Sequence, residues 1–267
     1  MQDLVMKSES SGQGEPVVLV PGGLTGWISW KYHAERLAEN HQVTRVQLLA
    51  VDFGFRGQPL PPDYSVGLEV EALSRALEGL GISRAHLVGW SYGAEVGLSY
   101  ALGNPRRVKS LTLIEPPAAW VLRSRGLMLD ELEEQGRPLQ SFATEDVSED
   151  QLAWFTHFAG FVPPDVDPRK LPQWPTWMEY RQSLRNGDAA FRHQDDIAKV
   201  RSFDGPVLLF KGTGSAAYLN RIIDVLGQEF PGAEVEELPG GHAMHLANRE
   251  RFLALLTVFL ERAQGGR

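Results

Sequence analysis

The stretch His86-Leu-Val-Gly-Trp-Ser-Tyr-Gly-Ala-Glu-Val-Gly-Leu-Ser-Tyr-Ala-Leu102 decides the fold of this chain. Its first residues predict a short buried strand, and the residues after Gly93 predict a helix. Between them, Gly89-Trp90-Ser91-Tyr92-Gly93 fits the pattern Gly-x-Ser-x-Gly, whose glycines allow a tight turn from strand to helix. Such a turn exposes the hydroxyl of Ser91 as a candidate nucleophile. The alternative is an ordinary turn serine.

Short apolar runs and helical patterns alternate on both sides of this turn. We predict strands at residues 17–20, 86–88 and 207–210, with weaker candidates at residues 43–51, 111–114 and 233–238. We predict helices at residues 30–40, 66–80, 93–102, 216–230 and 248–263. This alternation predicts an α/β fold with a doubly wound, mostly parallel sheet.

Residues 116–204 interrupt the alternation. They contain several tryptophans and prolines, and their helical patterns, at residues 127–135, 149–158 and 177–184, have charged faces. We therefore predict a helical cap at residues 116–204, inserted into a core domain formed by residues 1–115 and 205–267. The alternative is an extra set of core helices.

A glycine-rich loop, Pro21-Gly22-Gly23-Leu24-Thr25-Gly26-Trp27, directly follows the first predicted strand. It lacks the Lys-Ser/Thr pair of a phosphate-binding P-loop. A loop of this kind can instead supply one half of an oxyanion hole. We expect the backbone N–H of Gly23, or alternatively that of Leu24, to act together with the N–H of Tyr92. The structural alternative is a plain tight turn.

A histidine lies where a general base is needed. Gly240-Gly241-His242 follows the last predicted strand and precedes the final helix, so His242 can reach a serine on a neighbouring strand. His245, three residues later, is interpreted as a residue of the pocket. We expect neither a metal site nor a cofactor, because no third ligand of suitable spacing accompanies the two histidines.

The composition of the chain excludes several classes of protein. The chain has 267 residues, a formal net charge of −8 and no cysteine. Its negative charge argues against nucleic-acid and membrane partners, and the lack of cysteine excludes disulfides and thiol catalysis. The apolar run at residues 252–260 is about half as long as a membrane span, and the first ten residues do not resemble a signal peptide. We therefore expect a soluble, cytoplasmic protein.

Together, the serine turn, the glycine-rich loop and the histidine loop resemble the α/β-hydrolase family over about residues 5–263. In that family the strand after the cap is typically followed by the aspartate that orients the histidine, but here Ser215 stands in its place. Some members carry the acid at the end of the strand before the cap, and the resemblance therefore implies that Glu115 is the triad acid. The open alternatives are a capping role for Glu115, an acid at Asp195, Asp196 or Asp204, and a triad that has lost its acid.

The nucleophile limits the chemistry. Relatives that cleave epoxides or haloalkanes use an aspartate, whereas Ser91 would form a stable ether with an alkyl group. We therefore expect a serine hydrolase that acts on a small, hydrophobic acyl substrate: an ester, lactone, thioester, amide or β-diketone-like C–C bond. The alternative is a ligand-binding homologue with an impaired triad. The candidate substrate contacts are mostly aromatic, namely Leu24, Trp27, Trp90, Trp120, Trp154, Phe158 and His245.

Overall fold

The computed structural model describes residues 4–127, 130–143 and 146–265. The strands are β1 (Lys7–Ser11), β2 (Glu15–Val20), β3 (His41–Gln47), β4 (Ala85–Trp90), β5 (Val108–Ile114), β6 (Val207–Gly212) and β7 (Glu234–Leu238). The α-helices are α1 (Lys31–Leu37), α2 (Leu49–Phe55), α3 (Val66–Gly79), α4 (Tyr92–Gly103), α5 (Ala119–Ser124), α6 (Asp130–Gly136), α7 (Leu139–Phe142), α8 (Glu149–Phe158), α9 (Trp174–Tyr180), α10 (Ala189–Arg192), α11 (Ile197–Ser202), α12 (Ala217–Glu229), α13 (Met244–Ala247) and α14 (Arg249–Gly265). Short 3-10 helices span Gly26–Trp30, Pro105–Arg107, Pro168–Lys170 and Arg181–Asn186.

The strands form one twisted sheet in the order β1-β3-β2-β4-β5-β6-β7. Strands β2 to β7 run parallel, so their carboxyl ends lie at one edge of the sheet. This arrangement confirms the predicted α/β class. Strand β1 pairs antiparallel with β3 at the edge of the sheet and was not predicted, because Lys7–Ser11 is polar and largely exposed.

Alternate residues of each central strand face opposite sides of the sheet. In β2, Val18 and Val20 pack with helices α3, α4 and α12, whereas Val17 and Leu19 pack with α1 and α14. Both sides are therefore buried, which explains why these strands are continuous apolar runs rather than alternating ones. Because β4 lies between β2 and β5, the loops after all three strands meet around Ser91.

The strand predicted at residues 43–51 is wrong in its second half. Strand β3 ends at Gln47, and helix α2 begins at Leu49. The buried carboxylate of Glu69 accepts hydrogen bonds from the N–H groups of Leu49 (2.9 Å) and Ala50 (3.0 Å). A carboxylate at these N–H groups stabilises a helix start. The apolar run alone could not reveal a partner that lies about twenty residues away.

The described residues between β5 and β6 contain helices α5 to α11 and no strand. Several of these helices bury apolar side chains around Leu24 of the glycine-rich loop, including Phe142, Leu152 and Trp174. The predicted helix at residues 149–158 matches α8, while part of the one at residues 127–135 lies outside the described residues. The division of the chain into a core domain and a cap stays a prediction.

The closing helix packs its apolar face on the sheet. In α14, Phe252, Leu256 and Phe259 are buried against the side of the sheet that also holds Trp30. Over the described ranges, no helix combines the length and the apolar character needed to cross a membrane.

Candidate active site

Ser91 occupies a strained turn between β4 and α4. Its backbone has φ 54° and ψ −127°, a conformation that side-chain-bearing residues rarely adopt. Its N–H donates to the carbonyl of Ile114 on the neighbouring strand (2.8 Å), and its carbonyl accepts from the N–H of Ala94 (2.8 Å). The turn is therefore fixed from both sides, which holds the hydroxyl at the carboxyl edge of the sheet.

The two glycines of the motif are required by close backbone contacts. A Cβ atom on Gly89 would lie 2.6 Å from the Cα of Ala94. A Cβ atom on Gly93 would lie 2.2 Å from the carbonyl oxygen of Pro21, at the start of the glycine-rich loop. Helix α4 therefore packs directly on the backbone of that loop, which places the loop beside Ser91.

We expect Gly93→Ala to lower the free energy of unfolding by about 3 kcal/mol, because its methyl group would overlap the Pro21 carbonyl. The matched control is Gly97→Ala in the same helix, where the added Cβ would meet Leu87 at an ordinary 3.5 Å. We expect that control to raise stability by about 0.5–1 kcal/mol, since alanine is the better helix former. Urea denaturation measures both. Equal changes in stability for the two variants would contradict the close contact between Gly93 and the Pro21 carbonyl.

The structure brings Ser91, His242 and Glu115 into one hydrogen-bonded chain. The Oγ atom of Ser91 lies 2.8 Å from Nε2 of His242. The Nδ1 atom of His242 lies 2.7 Å from Oε2 of Glu115. The side chains of His242 and Glu115 are both buried, so water does not compete for this contact. The geometry is that of a nucleophile, a base and a carboxylate that orients the base.

Glu115 is held rigidly at the end of β5. Its backbone has a positive φ of 45°, which a residue that carries Cβ rarely adopts. One carboxylate oxygen, Oε1, accepts from the N–H of Gly212 (2.7 Å). The other, Oε2, accepts from the hydroxyl of Ser215 (2.7 Å) as well as facing His242. Ser215, which stands where the family typically carries its acid, therefore hydrogen-bonds to the carboxylate that comes from β5.

The other candidate acids do not contact His242. Asp195 pairs with His193 (2.8 Å), Asp196 accepts from the N–H of Ala198 (2.9 Å) at the start of α11, and Asp204 lies exposed near the sheet's opposite edge.

The loop that carries His242 is fixed by neighbours on two sides. The indole N–H of Trp90 donates to the carbonyl of His242 (2.9 Å). The N–H of His242 donates to the carbonyl of Gly160 (2.8 Å), which follows α8. A Cβ atom on Gly241 would lie 2.3 Å from that same carbonyl oxygen, so the loop needs glycine there. The ring of Phe161 packs edge-on against the imidazole of His242, with 4.9 Å between the two ring centroids.

The glycine-rich loop lies against the residue that follows the nucleophile. A Cβ atom on Gly23 would be 3.5 Å from Cβ of Tyr92 and 3.7 Å from Nδ2 of Asn186. The carbonyl of Leu24 accepts a hydrogen bond from the hydroxyl of Ser183 (3.2 Å). The backbones of Gly23 and Tyr92, the two predicted oxyanion donors, are therefore neighbours beside Ser91.

Tyr92 anchors the start of α4 through its side chain. Its hydroxyl lies 3.0 Å from that of Tyr64, which donates to the carboxylate of Glu69 (2.7 Å). Burial raises the pKa of both tyrosines well above the usual value, so both phenols stay protonated.

A small cavity of about 60 Å³ lies over Ser91. Of the predicted substrate contacts, Leu24 and Phe158 line it. The sequence did not point to Asn186 and Tyr218, which add polar groups to the wall. No signal in the sequence singled out these two residues, because they come from separate segments far from the motifs. The remaining lining residues are largely apolar, including Pro117, Leu139, Phe155, Phe161, Leu184, Ala190 and Phe191.

Five predicted substrate contacts lie elsewhere in the structure, and four of them pack their side chains into the protein. Trp120 is buried in the core and Trp154 stacks on Phe158 at 4.9 Å. Trp90 supports the His242 loop, and the backbone of Trp27 bonds to Gln47 (3.0 Å). None of these five lines the cavity over Ser91, the full set being Trp27, Trp90, Trp120, Trp154 and His245.

His245 is an aromatic core residue. It packs between Trp30 (5.0 Å) and Trp90 (4.6 Å), and its burial lowers its pKa well below the usual range. The imidazole therefore stays neutral. Within residues 4–127, 130–143 and 146–265, no group of three or more His, Asp or Glu side chains is placed to hold a metal ion.

Glu95 is a buried carboxyl group one turn along α4 from Ser91. Within the described part of the chain, neither of its oxygens has a hydrogen-bond partner. Burial raises its pKa well above the usual value, and the negative charge of Asp195 acts in the same direction. A raised pKa in an acid means that the folded state binds more protons than the unfolded state. Glu95 therefore costs stability progressively as the pH rises above the ordinary carboxyl range.

We expect Glu95→Gln to raise the free energy of unfolding by about 2 kcal/mol at pH 8 and by much less at pH 5, because glutamine removes the cost of keeping this carboxyl protonated in the folded state. Urea denaturation at both pH values measures the difference. The matched control is Glu69→Gln, where a carboxylate with three hydrogen bonds is replaced. That control should lower stability by about 1–3 kcal/mol. An effect of Glu95→Gln that is the same at both pH values would contradict a raised pKa at Glu95.

A doubly wound sheet that presents a serine, a histidine and a carboxylate at its carboxyl edge is characteristic of hydrolases. The chain belongs to the alpha/beta hydrolase family, whose model matches residues 17–255. The resemblance found in the sequence is therefore confirmed, and the chain is an enzyme of the hydrolase class.

Known relatives agree with this class. Over 265 residues the chain is 26% identical to a Klebsiella pneumoniae protein assigned as the carbamate hydrolase RutD, covering 91% of this chain and 90% of that protein. Over 106 residues it is 36% identical to the 2-hydroxy-6-oxo-2,4-heptadienoate hydrolase of Pseudomonas putida, covering 39% and 38% of the two chains. A thermophilic esterase from Thermogutta terrifontis shares the fold, with a TM-score of 0.77, 19% identity and coverage of 97% and 93%.

Proposed function

We propose that this chain is a cofactor-free serine hydrolase that cleaves an ester-like acyl bond through an acyl-enzyme on Ser91. One observation carries the proposal: the unbroken hydrogen-bonded chain from Ser91 through His242 to Glu115, at 2.8 and 2.7 Å. A serine hydroxyl is a weak nucleophile until an adjacent base accepts its proton.

In the acylation step, Oγ of Ser91 attacks the substrate carbonyl carbon while its proton passes to Nε2 of His242. The carbonyl oxygen becomes an oxyanion beside the N–H groups of Tyr92 and Gly23, and the start of α4 favours its negative charge. Glu115 holds the Nδ1 proton of His242 and stabilises the imidazolium. The tetrahedral intermediate then collapses, and His242 gives its proton to the leaving group.

In the deacylation step, water takes the place of Ser91 as the nucleophile and attacks the acyl-enzyme. His242 accepts a proton from water, and the resulting hydroxide equivalent attacks the acyl carbon. Collapse of the second intermediate breaks the bond to Oγ, and the proton on His242 returns to Ser91. The acid product leaves, and no external cofactor is consumed.

The residues that line the cavity favour a substrate with a small, uncharged acyl group. Aside from the triad histidine, its polar side chains are neutral, including Asn186 and Tyr218. Burial raises the pKa of the Tyr218 phenol, with the nearby charge of Glu115 as a smaller cause, so Tyr218 can donate a hydrogen bond but does not ionise. The names of the relatives favour a carbonyl substrate, because a carbamate, like an ester, offers an acyl carbon to a serine.

The test is to treat the pure protein with a fluorophosphonate and to measure its intact mass. We expect one adduct, which peptide mapping places on Ser91, and its loss in His242→Ala. An unlabelled protein that remains folded would contradict an activated serine. That result would favour a ligand-binding homologue whose triad does not turn over, and binding of small apolar molecules would then be measured.

A further inference from the structure

Two polar side chains in the cavity over Ser91 have no task in the triad. The polar side chains that line this cavity are those of Ser91, Tyr92, Asn186, Tyr218 and His242. Ser91 and His242 bond to each other, and the hydroxyl of Tyr92 lies 3.0 Å from that of Tyr64. Among the described residues, neither the amide of Asn186 nor the hydroxyl of Tyr218 has a hydrogen-bond partner. These two groups are therefore free to bind a substrate.

Tyr218 is held by aromatic rings at the start of α12. Its ring stacks on that of Phe158, with 5.4 Å between the centroids, and lies 6.1 Å from the ring of Phe191. Both phenylalanines also line the cavity. Because close packing against two rings restricts the rotation of the tyrosine side chain, its hydroxyl has a defined position.

The charges around Tyr218 place its hydroxyl on the side of the triad. Another part of this side chain lines an open depression that also contains Arg221. Burial is the main cause that raises the pKa of the Tyr218 phenol, and the negative charges of Glu115 and Glu95 act in the same direction. An arginine close to the hydroxyl would instead lower that pKa. The hydroxyl therefore lies toward the triad carboxylate and not toward the depression.

Asn186 lies beside the predicted oxyanion donor Gly23. It ends the 3-10 helix Arg181–Asn186, in which the hydroxyl of Ser183 donates to the carbonyl of Leu24 at 3.2 Å. A Cβ atom on Gly23 would lie 3.7 Å from Nδ2 of Asn186. The amide is therefore held against the glycine-rich loop, close to the predicted position of the substrate carbonyl.

Unpartnered polar groups in an apolar wall make a cavity selective. Apart from Tyr92 and the triad, the side chains that share the cavity with Asn186 and Tyr218 are apolar. An apolar substrate would cover these two groups without replacing the hydrogen bonds that they make to water. A substrate with an oxygen atom at this place would satisfy them. Sites of this kind reject the analogue that lacks the polar group.

We propose that Tyr218 and Asn186 are specificity-determining residues that hydrogen-bond an uncharged oxygen atom on the acyl group of the substrate. This inference rests on the proposed serine-hydrolase function and names its substrate class, the ester-like compounds of short hydroxy or keto acids. The Tyr218 hydroxyl donates to that oxygen, and the Asn186 amide offers both a donor and an acceptor. The cavity of about 60 Å³ limits the acyl group to a short chain.

Phenyl glycolate and phenyl propionate test this selection, because their acyl groups differ by a hydroxyl in place of a methyl group. The quantity measured is the ratio of kcat/KM for the glycolate to kcat/KM for the propionate. Each value is first divided by the rate constant for hydroxide-catalysed hydrolysis of the same ester, which corrects for the difference in intrinsic reactivity. For the wild-type protein we expect a ratio of about 100 or higher.

Two substitutions remove the proposed hydrogen bonds and nearly keep the size of the side chains. Tyr218→Phe should lower the ratio by about tenfold or more, and Asn186→Leu by about fivefold or more. Both should change kcat/KM for phenyl propionate by less than about threefold, since its acyl chain has no oxygen atom to bind. The matched control is Tyr180→Phe, which should leave the ratio unchanged. Tyr180 does not line the cavity, and its ring stacks on Phe55 with 5.1 Å between the centroids.

The outcomes separate the inference from the function on which it rests. If the fluorophosphonate labels Ser91 but the wild-type protein cleaves neither ester, or cleaves propionate as well as glycolate, the serine is activated and the inference is wrong. The inference is also wrong if Tyr218→Phe and Asn186→Leu lower kcat/KM equally for both esters, because a purely structural role would do the same. If the fluorophosphonate labels nothing and neither ester is hydrolysed, the proposed function itself fails.

Discussion

Ser91→Ala is expected to lower kcat by about 10⁵-fold or more on any ester that the wild-type protein hydrolyses. Without Oγ there is no atom to form the acyl-enzyme, and His242 and Glu115 have no nucleophile to activate. The measurement is the hydrolysis of p-nitrophenyl acetate at substrate saturation. Retention of the wild-type rate would show that the observed hydrolysis does not use this serine.

Ser91→Gly provides the matched control, because it removes the same hydroxyl and also relieves the backbone. The φ of 54° at residue 91 costs less with glycine than with a residue that carries Cβ. We therefore expect Ser91→Gly to be as inactive as Ser91→Ala but more stable by about 1 kcal/mol. This difference separates loss of chemistry from loss of folding.

Glu115→Gln is expected to have the second largest effect, a loss of about 10⁴-fold in kcat. The glutamine amide cannot accept the Nδ1 proton with its nitrogen, so His242 is no longer held in the tautomer that presents a free Nε2 to Ser91. Ser215→Ala removes only one of the hydrogen bonds to the carboxylate and should cost about tenfold. The reverse ranking would show that Glu115 is not the acid.

A double variant tests whether the carboxylate itself is what matters. Ser215 Oγ lies 2.7 Å from Oε2 of Glu115, so Ser215→Asp places a carboxylate close to the same point. We expect Glu115→Ala combined with Ser215→Asp to recover at least about tenfold of the activity lost in Glu115→Ala alone. No recovery, with the protein folded, would show that a carboxylate from residue 215 cannot orient His242.

The sequence predicted the parts of the site whose signals are local. Ser91 lies in a motif between a strand and a helix, and His242 follows a strand and a pair of glycines. The buried strands around them are continuous apolar runs, so the parallel sheet could also be predicted. The structure brings both residues, with Glu115, to hydrogen-bonding distance, although their catalytic roles stay a prediction.

The parts that could not be predicted depend on contacts between distant segments. The hydrogen bond from Ser215 to Glu115 joins residues a hundred positions apart, and no sequence motif near either residue predicts it. For the same reason, the sequence could not show which aromatic residues line the cavity. Trp120 and Trp154 were as good candidates for the pocket as Phe158, and only the packing of the folded chain decides which side chain faces the cavity.

The contact between Gly160 and the His242 loop limits how this enzyme can diversify. The carbonyl of Gly160 accepts the N–H of His242 (2.8 Å) and leaves no room for a side chain at Gly241. A segment transplanted from another hydrolase in place of the region between β5 and β6 must therefore reproduce one turn, with a carbonyl aimed at residue 242. At this point recombination must preserve both glycines, or the loop that carries His242 loses its place.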